Sequence, residues 1–281
     1  MWSKPIPSRR TVATSLKRQV RAGASHAARL VNTAMRPLNI QIVPGRTTDP
    51  AVQSFLRARK TIARARAAGL SVGDYVDQTF SQPGTTARSV DAMIRISGLS
   101  FARRICEIGP GTGRYAEKVI AALKPEAYEI YETADDWLPY LRTLPNAVIQ
   151  PCDGHTLSAT ASGSVDLVHA NKVFVYIPFN AVMGYVDEMV RVARPGGIIA
   201  FDVVTERCLT DEVVQAWIAQ ETIYRPVPRE WLIGYLGRRG MAFTGSHLAY
   251  LTDSQTELLV FQKTRTMAQA CRAMEGVPRN L

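Results

Sequence analysis

The chain has 281 residues, 46% of them hydrophobic, and a net charge of +10. That allows one large domain with an appendage or two small ones. It has no apolar run of about 18 residues, and its basic N-terminus lacks the apolar core and small-residue cleavage site of a secretory signal, so the expectation is a cytoplasmic protein without a membrane span.

The positive charge is concentrated at one end. Residues 1–70 hold fourteen Lys and Arg against one acid, Asp49, a balance of +13 that leaves −3 for the rest of the +10 chain. From Thr11 to Met35, apolar positions recur at helical spacing, with Lys17, Arg18, Arg21, Arg29 and Arg36 on the opposite side. This basic amphipathic helix suits peripheral, salt-sensitive contact with an anionic membrane, or with nucleic acid. The alternative is a helix packed on its own domain or on a partner. Pro37 ends it, and Asn39–Val43 reads as a short strand. Asp49 as N-cap and Pro50 at the first helical position start a second cationic helix, running through Leu56 and Ile62 to a C-cap at Gly69. The expected division is a basic extension over residues 1–70, a domain over 71–264 and a loose polar tail over 265–281. Tyr75, Phe80 and Gln82-Pro83-Gly84-Thr85-Thr86, within Asp74–Arg95, mark a candidate cover for a ligand site.

Strands are expected near Arg104–Ile108, Ala127–Glu132, Ala147–Cys152, Val165–His169 and Ile198–Val204, with helices between them. Helices follow from Thr210 and over Pro228–Arg239, and Met241–Leu251 with Glu257–Gln262 reads as an antiparallel hairpin. Alternating strands and helices imply a mainly parallel sheet covered on both faces, with ligands at the carboxyl ends of the strands. Glu107, Glu132, Asp153 and His169 all fall at such ends. Cys106, Cys152, Cys208 and Cys271 lack metal-ligand spacing and read as reduced thiols.

The ligand is written in Glu107-Ile108-Gly109-Pro110-Gly111-Thr112-Gly113. An apolar strand runs into three glycines and then a helix, which lets main-chain N–H groups approach a ligand beside a helix N-terminus. The dinucleotide fingerprint G-x-G-x-x-G does not fit, because the third glycine comes one residue early and Arg114 holds its place. Glu107 would repel a pyrophosphate. S-adenosylmethionine, with a sulfonium, an ammonium and one carboxylate, fits better, and Glu132 at the tip of the next strand can accept both ribose hydroxyls.

With those residues in place the chain resembles the class I S-adenosylmethionine-dependent methyltransferases over roughly residues 70 to 264. Motifs match at Glu107–Gly113, Glu132, Cys152-Asp153-Gly154, Val165–His169 and Arg191–Gly197. The resemblance implies a Rossmann-like α/β fold with a seven-stranded sheet of order 3-2-1-4-5-7-6. It also implies cofactor contacts from Glu107, Gly109, Gly111, Gly113 and Glu132, with Asp153 and Gly154 at the adenine. An ordinary turn is the other reading of Asp153-Gly154.

Methyl transfer to a hydroxyl calls for alignment and, commonly, a general base. His169 is the candidate base, with His155, Asp202 and Glu206 behind it, and no required metal is expected. The words His169–Pro178 and Phe201–Glu206 resemble methyltransferases of bacterial glycan and cell-surface biosynthesis. That implies an O-methyltransferase acting on a sugar hydroxyl of an oligosaccharide or glycolipid, with the basic arm near an anionic membrane. The rivals are RNA methylation, which the missing Asn/Asp-Pro-Pro-Tyr/Phe motif and the lack of aromatics in the arm disfavour, a small-molecule methyltransferase, and a binding module that keeps the fold without turnover.

Overall fold

Three helices precede the first strand in the computed structural model, which describes residues 56–219, 224–251 and 254–264. They are α1 (Ala58–Ala67), α2 (Val72–Phe80) and α3 (Thr85–Ser97). Then come β1 (Arg104–Ile108), α4 (Arg114–Leu123), β2 (Ala127–Tyr131), α5 (Leu138–Leu141), β3 (Ala147–Ile149), β4 (Val165–Ala170), α6 (Phe179–Val192) and β5 (Ala193–Val203). A short 3-10 turn at Glu206–Cys208 leads to α7 (Asp211–Ala219), α8 (Arg229–Gly237), β6 (Met241–Leu251) and β7 (Ser254–Lys263). The helix expected over Thr11–Met35, the strand over Asn39–Val43, the Asp49-Pro50 helix start and the tail over 265–281 lie outside the described residues.

The seven strands form one sheet in the order β3-β2-β1-β4-β5-β7-β6, the order the resemblance implies. Strands β1 to β5 pair in parallel, and β7 runs antiparallel to both β5 and β6. A parallel strand covered by helices on both sides must be apolar on both, and in β1 every residue after Arg104 is buried. Alternation divides its side chains between two cores. Cys106 and Ile108 pack with Val168, Phe201 and Met189 on one face, and Ile105 packs with Leu167, Val119 and Met93 on the other.

The element boundaries differ from expectation where the chemistry is local. Strand β3 stops at Ile149, short of Cys152, because Pro151 has no N–H to offer a ladder. Strand β5 begins at Ala193 rather than Ile198, with a register shift opposite Val165 and Leu167. Gly197 makes that bulge possible, since a Cβ there would lie 2.9 Å from both Arg194 O and Val165 O. In the terminal hairpin Leu251 pairs directly with Ser254, so β7 starts earlier than Glu257.

The helix expected to run through Leu56 begins later, at Ala58. Leu56 and Arg57 are not helical, and Arg57 is an extended N-cap with ψ 120°. The chain is held there by two bonds: Ala58 N–H donates to Asp136, and Trp137 Nε1–H donates to Leu56 O. Ala58, Thr61 and Ala65 are buried while Arg57, Arg59, Lys60, Arg64 and Arg66 are exposed. This small-residue stripe seats α1 on the domain core.

Helix α2 is fastened to α4. Asp77, buried, accepts hydrogen bonds from Thr86 N–H (3.0 Å), the Thr86 hydroxyl (2.7 Å) and Arg114 Nη1 (3.0 Å). Asp74 pairs with Lys118 at 2.8 Å, and Gly73 leaves no room for a Cβ against Glu117 and Arg114. The stretch expected to cover a ligand is thus a fixed wall. Replacing Asp77 by Ala strands the Arg114 guanidinium and the Thr86 amide, and should cost about 3 kcal/mol in urea unfolding. A loss below about 1 kcal/mol would show that the pairing is idle.

Candidate active site

Strand β1 ends in the glycine loop. Gly109 and Gly111 adopt φ +62° and +52°, in the left-handed region that side chains resist. At Gly109 a Cβ would also lie 2.7 Å from Val173 Cγ2, whereas at Gly111 there is nothing within 4 Å. The first glycine closes the loop against the β4 side, and the second leaves open space above the backbone.

That space belongs to a cavity of about 470 Å³, within the range of small-molecule sites. Gly109–Thr112, Glu132, Ala134 and Trp137 form one side, and Asn171, Lys172, Val173 and Tyr176 the other. Val76, Phe80 and Ser81 of the α2 region and Tyr250 and Leu251 of β6 complete it. Glu132 stands just past β2, nearly buried, with Oε2 accepting Gly111 N–H at 2.6 Å and Oε1 accepting Ala134 N–H at 2.7 Å. Burial raises its pKa, and the backbone amides of Ala134, Gly111 and Thr133 partly counter that. A carboxylate has about four acceptor sites, so three amides leave it capacity for a ligand.

Glu107 lies beneath the loop, off the cavity wall and 1% exposed. Tyr128 Oη–H donates to its Oε2 at 2.7 Å, and Tyr128 Oη lies 2.8 Å from His169 Nε2. A phenol has one hydrogen, so His169 Nε2 is the donor in the second bond. Its Nδ1 then accepts from Asn171 Nδ2 at 2.9 Å, which assigns the tautomer from the network. A buried chain of hydrogen bonds therefore runs from Asn171 on the wall through His169 and Tyr128 to Glu107. Burial pushes the Glu107 carboxyl up to about 8 and the His169 imidazole down to about 3.

This arrangement corrects the expectation of His169 as general base. It is fully buried, both ring nitrogens are engaged, and it is absent from the cavity wall. Its register partner is Glu107, so the imidazole spans the sheet interior and Asn171, two residues on, reaches the cavity. Asp153 and Gly154 also lie off the wall. Both Asp153 oxygens are taken by its own turn, Oδ1 by His155 N–H and Thr156 N–H and Oδ2 by the Thr156 hydroxyl. His155 is exposed. Asp202 is clamped by Lys172 N–H at 2.6 Å, Lys172 Nζ at 2.7 Å and the Thr256 hydroxyl at 2.8 Å, and Glu206 faces Arg229 N–H. Gly113 packs against Leu141 at the start of α4. The structure thus brings Gly109, Gly111 and Glu132 to one cavity with Glu107 behind them.

Asn171, Lys172, Tyr176, Trp137 and Tyr250 also line the cavity without having been singled out as site residues. Asn171 and Lys172 follow directly on β4, so the strand-end rule pointed to them. Tyr250 comes from the far end of the hairpin, and nothing local in the sequence marks it. Among the described residues no group of three or more His, Cys, Asp or Glu could hold a metal ion, and no helix is long and apolar enough to cross a membrane.

A family model described as a methyltransferase domain matches residues 106–201, from β1 into β5. A search of curated proteins finds no match. Among solved structures, magnesium protoporphyrin IX methyltransferase (ChlM) from Synechocystis PCC 6803 with bound SAM is 11% identical at a TM-score of 0.52, covering 79% of this chain and 100% of that one. The N-methyltransferase NodS from Bradyrhizobium japonicum WM9, in complex with S-adenosyl-l-homocysteine, is 15% identical at a TM-score of 0.50, covering 74% and 99%. The [4+2]-cyclase SpnF is 14% identical at a TM-score of 0.51, covering 66% and 83%. At such identities the likeness is one of fold, and it spans different chemistries.

The buried Glu107 carboxyl gives a test of the site's electrostatics. Its pKa is about 8 when folded against 4.5 for the free group, so the folded state holds an extra proton between those values. Its contribution to stability is full below about pH 4.5 and is lost as pH rises through about 8. Urea unfolding across that window should show wild type losing about 1.4 kcal/mol per pH unit relative to Glu107→Gln. Parallel stability curves would contradict the assignment.

Proposed function

We propose that this chain, which carries a class I S-adenosylmethionine-dependent methyltransferase domain and is an enzyme of that kind, methylates a sugar hydroxyl of an oligosaccharide or glycolipid. The cofactor, when bound, supplies a methyl group on a sulfonium, an excellent leaving group. The residues present fit it. The open space over Gly111 admits a ligand against the loop backbone, where the N-terminus of α4 favours a carboxylate. Glu132 offers its remaining acceptor capacity to the ribose hydroxyls. Ala134 and Trp137 present an apolar wall for the base, in place of Asp153 and Gly154. Glu107 lies behind the loop, and a cation in the cavity favours its ionised form.

The observation that carries the acceptor class is the wall opposite the glycine loop. There and on the flanks of the cavity, Phe80, Tyr176 and Tyr250 line it together with the hydrogen-bonding residues Ser81, Asn171 and Lys172. Flat apolar faces interleaved with donors and acceptors suit a sugar ring, which has apolar C–H faces and a polar rim. Held over Gly111 and beside Glu132, the cofactor would supply its methyl group to the acceptor oxygen and would keep the carbon–sulfur electron pair on sulfur, the hydroxyl proton leaving to solvent after transfer. Without His169 as a base, the rate rests on alignment and exclusion of competing water. Peripheral contact of the basic stretch, residues 1–70, with an anionic membrane fits a lipid-linked acceptor.

The test is incubation of the purified chain with methyl-labelled S-adenosylmethionine and separated polysaccharide, lipid, RNA and protein fractions from cells. Label should enter the glycan or glycolipid fraction in an alkali-stable form, as an ether would. Label confined to RNA would overturn the acceptor reading and recast the arm as a phosphate grip.

A further inference from the structure

A second cavity, of about 270 Å³, opens between the start of α3 and the end of the β6–β7 hairpin. Gln82, Thr85, Arg88 and Ser89 line it from one side, and His247, Tyr250 and Gln255 from the other. Tyr250 is shared with the cavity over the glycine loop, so the two spaces adjoin at that residue. The neighbouring β6 backbone packs closely on α3, with Ile96 Cγ2 3.0 Å from where a Gly245 Cβ would stand. The cleft's walls are therefore parts of the packed fold.

Its chemistry is one-sided. The charged lining group is Arg88, His247 is the titratable group beside it, and no carboxylate lines the space. Arg88 is oriented by two hydrogen bonds, Nη1 to Pro83 O at 3.1 Å and Nη2 to the Thr85 hydroxyl at 3.2 Å. A guanidinium has five N–H donors, so three remain. Among the described residues no carboxylate is ion-paired with Arg88. Arg95 and Lys172, with Arg88, act on His247 and reinforce burial in holding its pKa down, as expected where the local potential is positive. A preoriented, unpaired Arg in a cleft with hydroxyls and amides is an arrangement for a carboxylate or a phosphate.

We infer that this cleft is an acceptor subsite that binds the anionic group of an acidic sugar, a uronic acid or a sugar phosphate, placing the sugar ring past Tyr250 toward the methyl-transfer cavity. This rests on the sugar-acceptor reading above and narrows it from sugars in general to acidic ones. Arg88 is the anion's principal partner, His247 and the Thr85 and Ser89 side chains lie beside it, and the two spaces adjoin at Tyr250.

The test is saturation-transfer NMR on the full chain with S-adenosylhomocysteine present, using glucuronic acid, glucose 6-phosphate and glucose as probes. At least one acidic sugar should bind about tenfold more tightly than glucose, about 1.4 kcal/mol. Comparing the two acids tells carboxylate from phosphate. In Arg88→Met the preference should fall to within about twofold, while S-adenosylhomocysteine affinity stays at the wild-type level. Arg88 is exposed, so the variant should fold, and His247→Gln gives an independent, smaller loss. Equal binding of all three sugars, or a preference that survives Arg88→Met, overturns the subsite and leaves sugar methylation standing. Failure of every sugar, together with methyl label entering RNA, overturns both.

Discussion

The bond from Gly111 N–H to the Glu132 carboxylate holds the site together. It ties the loop after β1 to the end of β2, and it can form because those strands run parallel and in register, with Ile108 opposite Tyr131. Gly109 N–H adds a second tie, to Tyr131 O at 2.8 Å. Both require a backbone in the left-handed region at the loop's glycines. One constraint thus shapes the floor of the cavity and fixes the carboxylate at its edge. A carboxylate anchored by backbone amides is already oriented, so a ligand's hydroxyls meet it with little further ordering.

Below this floor the structure keeps a polar core that a methyl-transfer site would not need for packing alone. The chain from Asn171 through His169 and Tyr128 to Glu107 satisfies four buried polar side chains in sequence across β4, β1 and β2. Such a network is favourable only when complete, because any gap leaves a buried group unpaired. Its ends differ in character: Glu107 is an acid whose charge is suppressed by burial, and Asn171 lines the cavity. His169 acts here as the link that orients Asn171, a positioning role.

Much of this was legible in the sequence, for identifiable reasons. The parallel strands announce themselves as apolar runs, and Glu107–Gly113 carries loop, helix start and acid in seven residues. Glu132 followed from its place at a strand tip. Less legible were residues whose type permits two roles. A histidine at a strand end looks like a base, and only the opposing Glu107 and Tyr128 reveal that it is buried. Asp153 looked like an adenine contact, yet an Asp-Gly pair closes its own turn equally well. The β5 bulge was hidden because Gly197 matters through oxygens of Arg194 and Val165, one of them distant in sequence. Tyr250 and Arg88 lie far from the loop in sequence, and only the packing of α3 on the hairpin brings them to one cleft.

The most direct test of the account is a calorimetric titration of the purified chain with S-adenosylhomocysteine, beside Glu132→Ala shown to be folded by its thermal melt. Wild type should bind one equivalent, and the variant should bind at least about tenfold more weakly, since each lost charge-assisted bond is worth about 1.5–3 kcal/mol. Equal affinity in the two proteins, or no binding by a folded wild type, would contradict the cofactor site as built here.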